Sequence, residues 1–428
     1  MSVDLRTRVD GQHETVDPAQ FFDHDLPAAL DAYRAAVASG IGWLDLRPMT
    51  IEVDGDAWTL SARGNRVHVD NGSRPEAARV SLEPDQLDGL VHDQQTFMGM
   101  WSSGRLDQRA GRLGDALDWW LVLRAALDGR PIYEPSAVTF RDRDGGPLDL
   151  HRTFGADDDR DDMRHFLEEA GYLHIRGLFT EEEMGAVSED MDRAAPTYAP
   201  DDGRSWWART ADGERKLVRM QGFDELSPST NALIADPRFL RLAEIPGDAH
   251  VFGARTGNRI EALFKPIGVV EGISDVPWHK DCSLGRHSYE CCSLTVGISV
   301  TGADAVSGQL RVRAGSHRAL MWSALDQPGC DLPVVDLPTR TGDVTVHLSC
   351  TLHMAQPPVE RERRVMYSGF SLPPLDPKAA AEGRARLRAV REAAPVTVSQ
   401  PPGHMDRVNL GGLVERRRLA ASALTGVG

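Results

Sequence analysis

The chain has 428 residues, of which 41% are hydrophobic and 26% are charged, and its formal net charge is −16. This length suits two or three domains, and the negative charge argues against a nucleic-acid partner that must be bound through its phosphates. No apolar run approaches the ~20 residues that a membrane-spanning helix needs. The polar N-terminus lacks the apolar core of a signal peptide, so we expect a cytoplasmic protein with no membrane span.

The cysteines all lie in the second half of the chain, at Cys282, Cys291, Cys292, Cys330 and Cys350. Their odd number and the absence of a CxxC pair argue against a disulfide framework. Buried reduced thiols are therefore the expected state.

Residues 1–132 show signals of an α+β domain. "PAALDAYRAAVASG" has helical spacing and ends at a glycine. Four alternating runs follow, "MTIEVDG", "AWTLSARG", "RVHVDNG" and "ARVSLEP", and their Asp-Gly and Asn-Gly turns predict a meander of strands. "DALDWWLVLRAALDG" then predicts an apolar helix that ends at Gly129. We expect helices packed on an antiparallel sheet.

Residues 133–159 are rich in Pro, Gly and charge, which predicts a linker. From residue 160 to 375 the pattern is helix, strand, helix and then many short strands with glycine turns, which is typical of a jelly roll with flanking helices. Within this part "RSWWARTADGERKLVRMQGF" has little periodicity and suits a long loop over a site. Residues 376–428 predict a charged helix and a tail that could cross onto a second subunit of a homodimer.

Two His-x-Asp triplets, His68-Val69-Asp70 and His279-Lys280-Asp281, are candidates for metal binding. On a strand, residues i and i+2 point to the same side, so the imidazole and the carboxylate can reach one metal ion. A facial set of two His and one carboxylate leaves three positions open on iron(II). The first triplet ends in an Asn-Gly turn and is interpreted as part of a hairpin.

A third ligand for the second triplet is His353, eleven residues after Gly342. Arg364 lies eleven residues further on and could hold a carboxylate with two parallel hydrogen bonds. His347 competes for the ligand position, since it can face the same side of the strand, but it lacks this spacing. We therefore predict His279, Asp281 and His353 as metal ligands.

The second part of the chain resembles the phytanoyl-CoA dioxygenase family of iron(II)- and 2-oxoglutarate-dependent oxygenases over about residues 160–372. The matching segments are "GYLHIRGLFTEEEM", "LFKP", "WHKD", "SGQLRVRAGSHR" and the Gly342-Asp343, His353 and Arg364 series. The resemblance implies that His279, Asp281 and His353 hold Fe(II), that Arg364 binds the C5 carboxylate of 2-oxoglutarate, and that Lys265 is a second contact. Many members have Ser two residues after the distal His, and this chain has Ala355.

The first part is similar to the sterol-carrier-protein type-2 fold over about residues 40–130. The resemblance rests on "ARVSLEPDQLDGLV" and "MGMWSSGRLDQRAGRLGDALDWWLVL". It implies a domain that carries apolar ligands in a tunnel or serves as an accessory module. Trp101, Trp119 and Trp120 could line such a tunnel, although core packing is the favoured interpretation.

Together these patterns predict a dioxygenase that uses Fe(II), 2-oxoglutarate and O₂ to oxidise, in the first instance hydroxylate, a C–H bond of a small hydrophobic or natural-product substrate. Asp281 argues against a halogenase, in which a small residue replaces the carboxylate. The candidate substrate contacts are Trp206, Trp207, Arg219 and His287. Two alternatives remain open: a lipid or metabolite carrier with a catalytically silent jelly roll, and an iron oxygenase that does not use 2-oxoglutarate.

Overall fold

The computed structural model describes residues 15–102, 104–200, 202–248, 250–252, 259–271, 278–284, 293–373, 376–378, 381–382 and 385. Its helices are α1 (Pro18–Gln20), α2 (Leu26–Ala32), α3 (Arg34–Ile41), α4 (Pro84–Val91), α5 (Phe97–Ser102), α6 (Leu113–Asp128), α7 (Arg160–Ala170), α8 (Glu181–Ala194), α9 (Pro228–Ala235) and α10 (Pro237–Leu240). Its strands are β1 (Met49–Val53), β2 (Asp56–Arg63), β3 (Arg66–Asn71), β4 (Ala78–Leu82), β5 (Asp107–Ala110), β6 (Tyr172–Ile175), β7 (Ser205–Thr210), β8 (Arg215–Gln221), β9 (Val251–Phe252), β10 (Glu261–Lys265), β11 (Val269–Glu271), β12 (Ser293–Ser299), β13 (Leu310–Arg313), β14 (Val334–Leu337), β15 (Val344–Leu348), β16 (His353–Ala355) and β17 (Arg363–Ser371). The predicted tail from residue 376 falls almost wholly outside the described residues. No described helix is both long enough and apolar enough to cross a membrane.

The first part of the chain is a five-stranded sheet covered by helices, with strand order β3-β2-β1-β4-β5. The sheet was expected to be antiparallel, but β1 and β4 run parallel, with Ile51 opposite Val80. The reason is that residues 72–77 carry the chain across the sheet after β3, so β4 lies beside β1 instead of β3. Turn signals predict sequential hairpins, and they contain no information about which distant strand is the neighbour.

Helix α6 is the central element of the first core, because nearly every residue from Leu113 to Ala126 is buried. Trp119 and Trp120 are at most 1% exposed. The Trp119 indole N–H donates to the Arg47 carbonyl at 2.6 Å, and Trp120 lies edge-on to Phe97. These two tryptophans are thus packed as core residues, which is the interpretation favoured from the sequence.

The second part contains two sheets that share one hydrophobic core. The larger sheet has the order β11-β7-β8-β10-β17-β12-β15-β6, with β9 paired to β17, and the smaller has the order β14-β13-β16. Core residues come from both sheets, including Val312 and Leu337 from the smaller and Val296 and Val346 from the larger. Two sheets that share a core, with neighbouring strands that are distant in the sequence, agree with the predicted sheet-rich architecture. The predicted flanking helices are α7 and α8.

The segment predicted as a long loop is a hairpin formed by β7 and β8, so that prediction is wrong. Its register shifts between Trp206 and Trp207, which is a β-bulge. A bulge breaks the two-residue period of a strand, and it therefore hides the strand from an alternation search. Trp206 turns inward and is 2% exposed, and Trp207 is half-buried.

The Gly-Asp turn before β15 fixes this strand against β6. Gly342 has φ of +82°, and a Cβ at this position would lie 1.9 Å from the Phe179 carbonyl oxygen. The Asp343 carboxylate accepts hydrogen bonds from Gly177 N at 2.8 Å and pairs with His174 Nε2 at 3.0 Å. The turn thus needs glycine for space and aspartate for its two acceptors.

The two parts are docked on each other through residues 319–325. Leu320, Trp322 and Ala324 belong to the core of the first part, although they lie within the second part of the sequence. The Trp322 indole N–H donates to Asp118 Oδ1 at 2.9 Å in a buried contact. The segment predicted as a linker is also anchored, since Tyr133 N donates to Leu320 O and Phe154 N to His174 O, both at 2.9 Å.

We expect Asp118→Asn to change how stability depends on pH. Burial raises the pKa of Asp118 to about 7, although the Trp322 hydrogen bond opposes this, and Asp115 and Asp45 raise it further. Between about pH 4 and 7 the folded state therefore holds a proton that the unfolded chain has released, so stability falls as pH rises, by up to about 1.4 kcal/mol per pH unit. The asparagine amide of the variant would keep the acceptor for Trp322 without the charge.

Urea unfolding of both proteins at pH 4.5 and pH 8 measures this effect. The variant should match the wild type in acid and exceed it by roughly 3 kcal/mol at pH 8. Parallel pH curves for the two proteins would mean that Asp118 does not carry the effect.

Candidate metal centre

The segment that carries the first two predicted ligands lies between two strands of backbone. His279 N donates to His353 O at 2.9 Å, and His353 N donates to His279 O at 3.0 Å. On its other side His279 forms a bridge with Ala324. Backbone pairing alone therefore brings the two predicted histidine ligands side by side, although they are far apart in the sequence.

The residues of the triplet alternate as expected for extended backbone. Lys280 is fully buried on the side away from the ligands, where its ammonium group donates to Ser316 O at 2.8 Å and to Ala319 O at 3.4 Å. Burial lowers the pKa of Lys280 to about 8. Asp281 begins a short 3₁₀ helix, Asp281–Leu284, on the same side as His279. Lys280 thus ties the ligand segment to the turn at residues 316–319.

His279, Asp281 and His353 form a group whose ligating atoms all lie within 4.8 Å of one another and which could hold a metal ion. Asp281 Oδ1 is 3.3 Å from His279 Nε2 and 3.7 Å from His353 Nε2. The His353 ring is oriented by a 2.9 Å contact between its Nδ1 and the Thr351 carbonyl. Such a contact leaves Nε2 as the ligating atom.

The second carboxylate oxygen of Asp281 points to different partners. Thr295 Oγ1, on β12, donates to Asp281 Oδ2 at 2.8 Å. His347 Nε2, on β15, lies 3.6 Å from the same oxygen. The two oxygens of Asp281 are therefore distinct: Oδ1 faces the two histidine ligands, and Oδ2 faces the large sheet.

The charges at the site suit a cation. Burial opposes ionisation of Asp281, but His353, His279 and His347 hold the pKa of its carboxyl well below the usual range. Burial, together with His347 and His279, keeps the pKa of His353 well below its ordinary value. An ionised carboxylate beside a neutral imidazole is the form that binds a divalent metal.

A cavity of ≈ 260 Å³ opens onto the three side chains. Polar and apolar surface contribute about equally to its walls, with Arg219, Arg259, Glu261, Lys265, Thr295, Tyr367 and Ser368 beside the apolar Leu263, Leu310 and Ala355. His347 also lines it and is 1% exposed. Lys265, the predicted second contact for the cosubstrate, lies in this wall and is 3% exposed.

Arg364, the predicted carboxylate anchor, is not brought to the cavity. Its guanidinium donates to Ser188 O at 2.9 Å, Ser188 Oγ at 2.8 Å and Asp192 Oδ1 at 2.7 Å, all on helix α8. Strand alternation is the reason, since Arg364 pairs with Phe264, whereas the cavity-lining residues of β10, Leu263 and Lys265, lie on the other face of the sheet.

Arg363 shares a face of the sheet with the cavity-lining Lys265, although it is not itself one of the residues that line the cavity. It pairs in register with Lys265 of β10, is 5% exposed, and its Nε and Nη2 have no hydrogen-bond partner among the described residues. Spacing from His353 could not separate Arg363 from Arg364. Only the pairing of β17 with β10 decides which of the two faces inward.

Of the predicted substrate contacts, only Arg219 is found in the cavity wall within the described residues. Arg219 lines the cavity, where it lies 3.2 Å from Glu261 and stacks on the Trp206 ring. Trp206 and Trp207 are not part of the cavity wall; Trp206 packs behind Arg219, and the Trp207 indole N–H donates to Ser205. His287 lies outside the described residues. Thr295, Glu261 and Arg259 were not predicted, because no local motif marks them and only the folded sheet brings them together.

Comparison with known proteins gives one family and several distant likenesses. The family model described as phytanoyl-CoA dioxygenase (PhyH) matches residues 167–365. The epimerase SnoN, in complex with Fe3+, alpha ketoglutarate and nogalamycin RO, is 18% identical, with a TM-score of 0.39 over 50% of this chain and 83% of that chain. EctD from S. alaskensis, with 2-oxoglutarate and 5-hydroxyectoine, is 16% identical, with a TM-score of 0.41 over 56% of this chain and 86% of that chain.

Among curated proteins, the RNA polymerase sigma-54 factor of Rhizobium meliloti (strain 1021) is 25% identical over 193 residues. That match covers 44% of this chain and 34% of the sigma factor, so the chain spans about a third of that protein's length. TM-scores below 0.5 do not establish a shared fold, and so low a coverage assigns no activity. The family match is thus the informative comparison. It spans residues 167–365, which include the three candidate ligands, Lys265 and Arg363.

Proposed function

We propose that the protein is an iron(II)- and 2-oxoglutarate-dependent oxygenase. The observation that carries this proposal is the convergence of His279, Asp281 and His353 on one point at the base of a cavity. Two imidazoles and one carboxylate are the donor set of non-haem iron(II) oxygenases, and they leave three facial positions open. The match of residues 167–365 to the phytanoyl-CoA dioxygenase family supports the same reaction class.

The proposed anchor for 2-oxoglutarate is the pair formed by Lys265 and Arg363. The two cations are direct cross-strand neighbours, both are at least 95% buried, and Arg363 has two N–H groups without a partner in the described residues. A buried guanidinium without a counter-ion costs several kcal/mol, so this position suits an anion that arrives from outside. The far carboxylate of 2-oxoglutarate would contact both side chains, and Arg363 would take over the role predicted for Arg364.

When bound, iron with 2-oxoglutarate and O₂ supplies an oxidant that can attack an unactivated C–H bond. The residues of the chain do the positioning. His279, Asp281 and His353 would fix the metal, Lys265 and Arg363 would orient the cosubstrate, and the buried walls would exclude bulk water from the site. Ala355 lines the cavity where many relatives have Ser, so Arg363 and Lys265 would bind the carboxylate without that hydroxyl.

For the substrate, we propose a polar, oxygen-bearing small molecule. A hydrophobic, lipid-like or natural-product substrate was expected from the sequence. The outer wall favours hydrogen-bonding groups, because Arg219, Glu261 and Arg259 line it, with Arg219 and Glu261 3.2 Å apart and Arg259 bonded to Asp224 at 2.9 Å. A natural product with several hydroxyl or carboxylate groups fits this wall better than a hydrocarbon chain.

The test is to add Fe(II) and 2-oxoglutarate to the protein without oxygen and to record the visible charge-transfer band that their chelate produces. We expect the band to appear only with both components, and oxygen then to yield succinate. Metal binding without the band would favour an iron oxygenase that does not use 2-oxoglutarate. If the protein neither binds the metal nor forms succinate, the proposal is contradicted and a carrier with a silent jelly roll is favoured.

A further inference from the structure

His347 is a buried histidine next to the candidate metal centre that the proposed reaction does not use. It is 1% exposed, it lines the cavity, and neither ring nitrogen has a hydrogen-bond partner within the described part of the chain. Its ring centroid is 4.2 Å from that of His353. Burying an imidazole without a partner costs about 1–3 kcal/mol, so its presence here calls for a role at the site.

The nearest carboxylate oxygen is Oδ2 of Asp281, 3.6 Å from His347 Nε2. Thr295 already donates to that oxygen at 2.8 Å. Thr295 and His347 are direct cross-strand partners of β12 and β15, so the large sheet presents two donors side by side to one oxygen. A carboxylate oxygen accepts two such bonds.

We propose that His347, together with Thr295, is a positioning residue that holds Oδ2 of Asp281 and so reserves Oδ1 for the metal. With a metal bound to Oδ1, the Nε2–H of His347 would donate to Oδ2, 3.6 Å away in this structure. Partners of this kind around a ligand typically change metal affinity 10- to 100-fold. This inference rests on the proposed iron site but assigns a residue that the reaction class alone does not identify.

The geometry separates His347 from the ligands themselves. The group of atoms within 4.8 Å of one another contains His279, Asp281 and His353 and does not contain His347. A fourth protein ligand would also leave only two positions on an octahedral metal, both needed by a bidentate cosubstrate, with none for O₂. His347 therefore acts through Asp281 and does not ligate the metal.

The experiment measures the affinity of the full-length protein for Fe(II) without oxygen, by competition with a chromophoric chelator. His347→Leu removes the donor at similar volume, and His347→Gln keeps an N–H donor. The matched control is His174→Leu, since His174 is another buried histidine of the same sheet, paired with Asp343 at 3.0 Å, and it does not line the cavity. Melting curves verify that each variant is folded.

We expect His347→Leu to weaken Fe(II) binding 10- to 100-fold, His347→Gln to stay within about threefold of wild type, and His174→Leu to lose stability without losing affinity. Equal affinity of a folded His347→Leu variant and the wild type would overturn the inference. Iron K-edge absorption should show two imidazole ligands in both the wild type and His347→Leu. Three imidazoles in the wild type and two in His347→Leu would make His347 a ligand, and that result would also overturn the inference. Absence of Fe(II) binding by the wild type would instead contradict the proposed function.

Discussion

Arg363→Ala should raise the KM for 2-oxoglutarate roughly 100-fold, whereas Arg364→Ala should leave it within about threefold of the wild type. Truncating a buried, charge-paired arginine costs a bound anion about 3 kcal/mol, which corresponds to that factor. Arg363 pairs across the strands with Lys265, which lines the cavity. Arg364 makes its three hydrogen bonds to helix α8 on the outer side. The two variants are neighbours in sequence and differ only in the face they occupy.

Stability should move in the opposite direction to affinity. Removing Arg363 takes an uncompensated buried cation out of the cosubstrate-free protein, so its melting temperature should stay equal or rise. Removing Arg364 breaks the contacts with Ser188 and Asp192 and should cost about 1 kcal/mol of unfolding free energy. Arg363→Lys keeps the charge without the fork geometry and should recover only part of the affinity. A large KM effect in Arg364→Ala and none in Arg363→Ala would reverse the assignment of the anchor.

This arginine pair illustrates what the sequence can predict about the site and what it cannot. His279 and Asp281 could be identified because a single strand places residues i and i+2 together, and that relation is local. His353 followed from its distance to the Gly342 turn. The choice between Arg363 and Arg364 depends on the register of β17 against β10, and a shift of one residue exchanges the two faces. No pattern within the segment itself contains that register.

The same limit explains the two errors in the fold. The alternating runs predicted β1 to β4 individually, but the parallel neighbour of β1 is determined by a crossover and not by a turn signal. The bulge at Trp206 and Trp207 concealed a hairpin because it interrupts the alternation by which strands are recognised. Helices α6 and α8 were predictable, since their glycine stop at Gly129 and capping box at Thr180 are local features.

The docking of the first part of the chain against the ligand segment was also beyond sequence patterns. Trp322 inserts into the first core, while its neighbours Ser323 and Ala324 pair with Lys280 and His279. The segment that holds the first ligand is therefore supported from behind by the other part of the chain. Such a contact gives the first part a structural role at the site, whether or not it binds a ligand of its own.

Asp281→Ala should abolish metal-dependent turnover and remove the increase in melting temperature that Fe(II) confers on the wild type. Asp281 is the negatively charged member of the three candidate ligands, and His347 is a further buried imidazole beside it. Without this carboxylate, only the neutral imidazoles of His279 and His353 would remain to bind a divalent cation. We expect the affinity for Fe(II) to fall by more than ~100-fold, which at a metal concentration near 100 times the wild-type Kd removes at least about 2.3 kcal/mol of linked stabilisation.

The fold itself should survive this change, because Asp281 is half-buried at the cavity and its contacts are with side chains that line the same cavity, Thr295 and the three histidines. Asp281→Asn is the sharper variant, since it keeps the shape and the acceptor for Thr295 while removing the charge. Asp336→Asn is the control, because the Asp336 carboxylate is 42% exposed and pairs with Arg311 on the smaller sheet. Fe(II) titration by calorimetry and succinate formation measure both effects. If Asp281→Asn binds Fe(II) as tightly as the wild type and still consumes 2-oxoglutarate, the metal must lie elsewhere, because no neutral amide at this position could replace the charge that the triad supplies.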